Sequence, residues 1–196
     1  MDLYRTIADS SEAIFTEKRS KFIAFAIPVE SVDDVKKHVA DISKKYFDAR
    51  HVCYAYMLGY DRSEYRANDN GEPSGTAGKP ILGQINSLEL TNVLVVVVRY
   101  FGGIKLGTPG LIAAYRQAAR DALDCAEIIE RHVTSDIEFN FPYIAMNDVM
   151  KITREPGVSL IGSVFDNTCS MKLRVELDRV EPVRTKLEKI DGISFK

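Results

Sequence analysis

The sequence predicts an α+β protein of two domains, and three stretches carry that prediction. Val93 to Val98 is an unbroken apolar run rich in β-branched residues. Such a run needs cover on both faces, which puts the strand in the middle of a sheet. Gly102, Gly103 and Gly107 follow it, then a helical pattern opening at Thr108-Pro109. Beyond Glu130 the texture changes to strand, helix, two strands, helix and strand. A boundary near Arg131 to Thr134 divides the chain into residues 1–132 and 133–196.

Taken in order, Ile14 to Val29 reads as two strands or one bent pair, broken by Lys18-Arg19-Ser20-Lys21, a solvated hairpin turn before it is a phosphate contact. Ser31 opens S-V-D-D, a capping-box pattern with acidic residues in the first turn. Val32, Val35, Val39 and Ile42 continue that helix to about Tyr46. Arg50 to Leu58 is a strand with Val52, Tyr54, Tyr56 and Leu58 on one face. His51, Cys53, Ala55 and Met57 lie on the other, where the small side chains admit a closely packed helix.

From Gly59 to Lys79 the chain is polar, with a turn signal at Asn70-Gly71 and a rigid one at Glu72-Pro73. This loop ends in Gly78-Lys79-Pro80 and a short helix through Ile81, Leu82, Ile85 and Leu88. The same grammar recurs at Gly107-Thr108-Pro109, where Thr108 suits the N-cap and Pro109 the first helical position. Leu111, Tyr115, Ala118 and Ala122 form the apolar stripe of that second helix.

In the last third, T-S-D-I-E-F-N-F alternates as a strand and Tyr143 to Arg154 has helical spacing, closed by Pro156-Gly157. Val158 to Phe165 and Cys169 to Leu177 pair across Asp166-Asn167-Thr168 as a hairpin. Val180, Val183, Leu187 and Ile190 mark a helix, and Ile193 to Lys196 an edge strand. The order βαββαβ is the ferredoxin-like plan.

Composition narrows the function classes. A net charge of −2 supplies no global field for nucleic acid, so any such contact uses a local patch. Three cysteines without a C-x-x-C pair argue against a disulfide framework or a zinc site. No apolar run approaches a membrane span, and M-D-L-Y-R-T-I-A-D-S shows no secretory pattern, so a cytoplasmic protein without membrane contact is expected. Arg174, Arg179, Arg184, Lys186 and Lys189 are interleaved with Asp178, Glu181 and Glu188, which reads as a salt-bridged surface before it reads as a nucleic-acid face.

The two glycine–polar–proline helix starts are the candidate site, because free N–H groups at a helix start hold anions. If they converge, Ser74, Gly75, Thr76, Gly78, Lys79, Arg99, Gly102, Gly103, Lys105, Gly107 and Thr108 form one anion- or nucleic-acid-binding face. G-T-A-G-K-P fails as a Walker A motif: Pro73 stands where its first glycine belongs, and Pro80 where its hydroxyl belongs. Asp69, Glu72 and Glu64 read as solvated loop carboxylates, since Arg66 and Ala67 interrupt calcium-loop spacing. His51 and Cys53 read as a hydrogen-bonded histidine and a buried thiol. Nothing supplies an activated nucleophile with a visible base, so neither catalytic residues nor a cofactor or metal is expected.

The segments Lys21-Phe22-Ile23-Ala24, Ala49-x-His51-x-Cys53-x-Ala55, Gly71 to Pro80 and Val98 to Gly107 together resemble the IMPACT family, in particular its two-domain bacterial members of the YigZ type. That resemblance implies an N-terminal domain like ribosomal protein S5 domain 2. It also implies a ferredoxin-like C-terminal domain akin to the last domain of elongation factor G. Asn70 stands where an Asp is common in the family, Pro109 where Gly is, and Ala113 where Arg is, which removes one charge from the expected face. The eukaryotic relatives act in translational control. The function expected is therefore translation regulation by a non-enzymatic protein that binds RNA, the ribosome or a protein partner in translation. A small-molecule enzyme or sensor of a phosphorylated metabolite, and a purely protein-binding module, stand as the alternatives. Oligomeric state is left open.

Overall fold

The computed structural model describes residues 3–166 and 168–196. It divides into two compact units, residues 4–131 and residues 132–196 together with residue 3.

In the first unit β1 (Leu3–Ile7) pairs with β7 (Ile128–His132) in a two-stranded sheet that the sequence reading missed. The remaining strands form one five-stranded sheet in the order β2 (Ser11–Glu17), β3 (Ser20–Pro28), β6 (Val93–Tyr100), β4 (His51–Leu58), β5 (Glu64–Asn68). Every neighbouring pair is antiparallel. The hairpin between β2 and β3 turns on two residues only, Lys18 and Arg19, with φ of 45° and 65°. Two successive positive φ angles match the twist of the strands they join.

β6 sits at the centre, and Val93 to Val98 are each 0% exposed. Val93, Val95 and Val97 join one core with Cys53, Ala55, Ile81, Ile85 and Tyr115. Leu94, Val96 and Val98 join a second core with Val52, Tyr56, Val35 and Ile42. Burying each such side chain contributes about 1.5–3 kcal/mol relative to exposure, so this strand is the main anchor of the unit.

Three helices cover the sheet. α1 (Val32–Lys45) is capped by Ser31, whose Oγ accepts from the Asp34 N–H at 3.1 Å. Its buried Val35 and Ile42 lie on the face of Leu94 and Val96. α2 (Gly78–Ser87) and α3 (Gly107–Asp124) cover the opposite face, over the small side chains of β4. The polar stretch expected to be a loop contains β5, an edge strand on β4.

The second unit holds β8 (Thr134–Phe141), α4 (Met146–Ile152), β9 (Val158–Val164), β10 (Cys169–Glu176), α5 (Val180–Glu188) and β11 (Ser194–Phe195). The sheet order β11-β8-β10-β9 with antiparallel pairs is the ferredoxin-like arrangement. Phe139, Phe141, Val149, Met171, Leu173 and Leu187 fill its core. In the expected β9–β10 hairpin turn, Asn167 lies outside the described residues. Charged side chains on this unit pair with one another: Arg184–Glu188 at 3.5 Å, Lys186–Glu155 at 2.7 Å and Lys172–Asp136 at 3.2 Å. No helix among the described residues is long and apolar enough to cross a membrane.

Candidate functional site

Both proline-bearing helices begin two residues earlier than the sequence suggests. α2 starts at Gly78 and α3 at Gly107, which moves Pro80 and Pro109 to the third helical position. The cost is nil in either case, because no residue of the first turn has an intrahelical partner for its N–H. Thr108 therefore lies inside α3 and is not its N-cap. Leu106 holds that place without any side-chain cap.

At the α2 start the anion is already present. Asp69 Oδ1 accepts from the N–H groups of Gly78 at 2.8 Å and Ala77 at 3.1 Å, and Oδ2 accepts from Gly75 at 2.8 Å. Burial pushes the Asp69 carboxyl upward, but the N–H groups of Gly75, Gly78 and Ala77, with the charge of Lys79, outweigh it and hold the group below its ordinary value. Thr76 is buried, and its hydroxyl donates to Pro73 O at 2.6 Å. Gly78 is required by close approach, since a Cβ there would lie 2.5 Å from Asn68 N. Of the external-anion site expected at Ser74, Gly75, Thr76, Gly78 and Lys79, the N–H groups of Gly75 and Gly78, with that of Ala77, are already taken by an internal carboxylate.

The α3 start is different. It borders a cleft of about 440 Å³ lined by Arg50, His51, Gly71, Glu72, Pro73, Arg99, Phe101, Lys105, Leu106, Gly107, Thr108 and Leu111. Of the residues anticipated for the site, Arg99, Lys105, Gly107 and Thr108 come together here. Ser74 to Lys79 do not line it, and neither do Gly102 and Gly103. Gly102 serves packing: a Cβ would sit 2.1 Å from the Arg19 backbone in the β2–β3 turn.

The floor of the cleft is a buried polar network. Glu72, whose side chain is 3% exposed, accepts at Oε1 from Arg99 Nη1 at 2.6 Å and from Tyr115 Oη at 2.8 Å. Reading Glu72 and Asp69 as solvated carboxylates is therefore corrected for both. Glu64 is exposed. His51 Nδ1 lies 2.8 Å from Asn70 O. A carbonyl only accepts, so that nitrogen carries the proton. Nε2 then faces Glu72 Oε2 at 3.9 Å.

Cys53 Sγ lies 3.0 Å from Asp69 O and 3.4 Å from Tyr115 Oη. Burial, with the charges of Glu72 and Asp69, pushes its thiol up to about 12 despite the Tyr115 hydrogen bond and the Arg99 charge. Burial and the neighbouring Cys53 and Glu72 likewise raise the Tyr115 hydroxyl. Neither group is a ready nucleophile at neutral pH. Arg99 Nε, on a side chain 8% exposed, is buried without a hydrogen-bond partner among the described residues. Among the same residues, no cluster of three or more His, Cys, Asp or Glu has the arrangement of a metal site.

Sequence reasoning missed Glu72, Tyr115 and the seat of His51. The one usable signal was an acid, Asp69, shortly before a glycine-rich helix start, the pattern of an internal cap.

A two-unit α+β chain with this glycine-loop cleft falls in a recognisable class, since residues 18–123 match the Impact N-terminal domain. The chain belongs to the IMPACT family. It is 30% identical over 191 residues to an IMPACT family member of Haemophilus influenzae, covering 95% of this chain and 93% of that one. IMPACT family member YigZ of Escherichia coli is 41% identical over 108 residues, 54% of this chain and 53% of its own length. A crystal structure described as that of a hypothetical protein superposes over 100% of this chain and 97% of its own, with a TM-score of 0.80 and 26% identity.

Proposed function

We propose that this chain is a translation-associated regulatory protein, working in the cytoplasm, that binds RNA or the RNA of a ribosome through the cleft at the start of α3. The observation that carries the reading is the pairing of an uncapped eighteen-residue helix start with the buried, incompletely partnered Arg99 beside it. Three cations, Arg50, Arg99 and Lys105, line the cleft with one carboxylate, Glu72, so it holds an excess of positive charge in a chain whose net charge is −2. Phosphate is the matching ligand, because it is held by helix-start N–H groups and paired by guanidinium and ammonium groups. Family membership supports the translational setting.

Titration of the full chain with ribosomes and with structured RNA, at several salt concentrations, tests this. Binding that weakens as salt rises is the expected result. Micromolar protein with no salt-dependent binding to either refutes it.

The dimensions of the cleft favour one other reading, a pocket for a phosphorylated metabolite, since about 440 Å³ lies within the range of small-ligand sites. Saturable binding of a mononucleotide, with none of RNA, selects it.

A further inference from the structure

We infer that the cleft takes one unpaired nucleotide of an RNA strand, with its phosphate at the α3 start and its base against Phe101. This rests on the RNA reading above and narrows it. Phe101 is 44% exposed and lines the cleft, one residue beyond the last residue of β6. The Arg99 guanidinium lies over its ring, 5.7 Å from the centroid, and is itself fixed below by Glu72. The aromatic surface is thereby backed by a cation and offers its exposed side to a ligand. Every base has a π-face that such a platform accepts.

The same cleft is lined by Lys105, Gly107 and Thr108, and by Arg99, which Glu72 holds in place. Groups that donate to phosphate and a stacking surface thus line one cleft, as seating a single nucleotide requires. A duplex presents its phosphates but keeps its bases paired and stacked, and so cannot reach Phe101. Single-stranded segments, loops and bulges are the RNA class that fits.

The test uses the full chain, a single-stranded adenosine 12-mer, a blunt, fully paired RNA duplex of equal phosphate count, and free AMP, read by fluorescence anisotropy and competition. The single strand should bind more tightly than the duplex. F101A should weaken the single strand about tenfold and leave the duplex unchanged, while F101Y restores binding. K105A should weaken both RNAs and lower the salt slope by about one. Phe101 is half-exposed, and thermal melting of each variant shows whether the fold is intact.

Equal affinity for the two RNAs, or F101A without effect in a folded variant, overturns the unpaired-nucleotide assignment and leaves the RNA reading standing. Absence of salt-dependent binding to either RNA removes both. AMP competing at the same concentration as the 12-mer also removes both, because the site would then be one for a small metabolite.

Discussion

The starts of α2 and α3 share a sequence grammar and differ in chemistry. Each runs glycine, polar residue, proline, and each sets its proline at the third helical position. The first is closed by Asp69, which takes three backbone donors. The second has no side-chain cap and opens on a charged cleft. One helix start is spent on holding the fold, and the other has no side chain closing it. What separates them is the residue that happens to fold back on each, not the local motif.

The largest effect belongs to the wall of the cleft. Glu72→Gln removes the charge facing buried Arg99 and should cost about 3 kcal/mol, seen as a lower denaturant midpoint. A change below about 0.5 kcal/mol would mean the pair is solvated and the cleft floor has been misread.

Asp69→Ala comes next and should cost about 2 kcal/mol through loss of the cap. It should leave RNA affinity unchanged, since the α2 start lies outside the cleft. An RNA affinity that rises in this variant would show that emptying α2 creates a second anion site, erasing the contrast between the helices. The same cap has a pH signature. The Asp69 carboxyl is held low in the folded state, so the unfolded chain binds the proton more readily. Its contribution is present at neutral pH and is lost as pH falls below the ordinary aspartate range, through the lower folded value. Acid titration of stability should therefore be shallower in Asp69→Asn than in the parent chain.

Gly107→Ala is smaller. Gly107 has φ of 72°, so an alanine there should cost about 1 kcal/mol, measurable by thermal melting. Lys105→Ala should move stability by less than about 0.5 kcal/mol while weakening RNA binding. Thiol labelling gives the finest discrimination. Exposed Cys125 should react with iodoacetamide at neutral pH while Cys53, buried and with its thiol pushed up to about 12, stays protected. Rapid loss of the Cys53 thiol would show that the network beneath the cleft opens readily.

The contrast also explains what the sequence could and could not show. Val93 to Val98 announced the central strand because a run without polar alternation admits only a doubly covered position. The βαββαβ order was equally plain, since it rests on near-neighbour patterns, while the turn read at Lys18 to Lys21 was two residues too long, Ser20 and Lys21 belonging to β3. β5 was not, because Glu64, Tyr65 and Arg66 are exposed on an edge strand and only the pairing with β4 makes E-Y-R-A-N extended. Glu72 was misread for a related reason. Its flanks, Gly71 and Pro73, suggest solvent, while the partners that bury it stand 27 and 43 residues away at Arg99 and Tyr115. Short-range patterns reveal where a helix begins. They do not reveal which distant carboxylate will arrive to occupy its end.

The Asp69 cap has a consequence beyond the helix it closes. Stapled through Gly75, Ala77 and Gly78, and tied by Glu72 to Arg99, the segment bearing Gly71 and Pro73 is already fixed before any guest arrives. Association then forfeits little chain entropy in that segment, and the heat capacity change on complex formation should reflect only the surfaces brought together, as for a lock cut in advance.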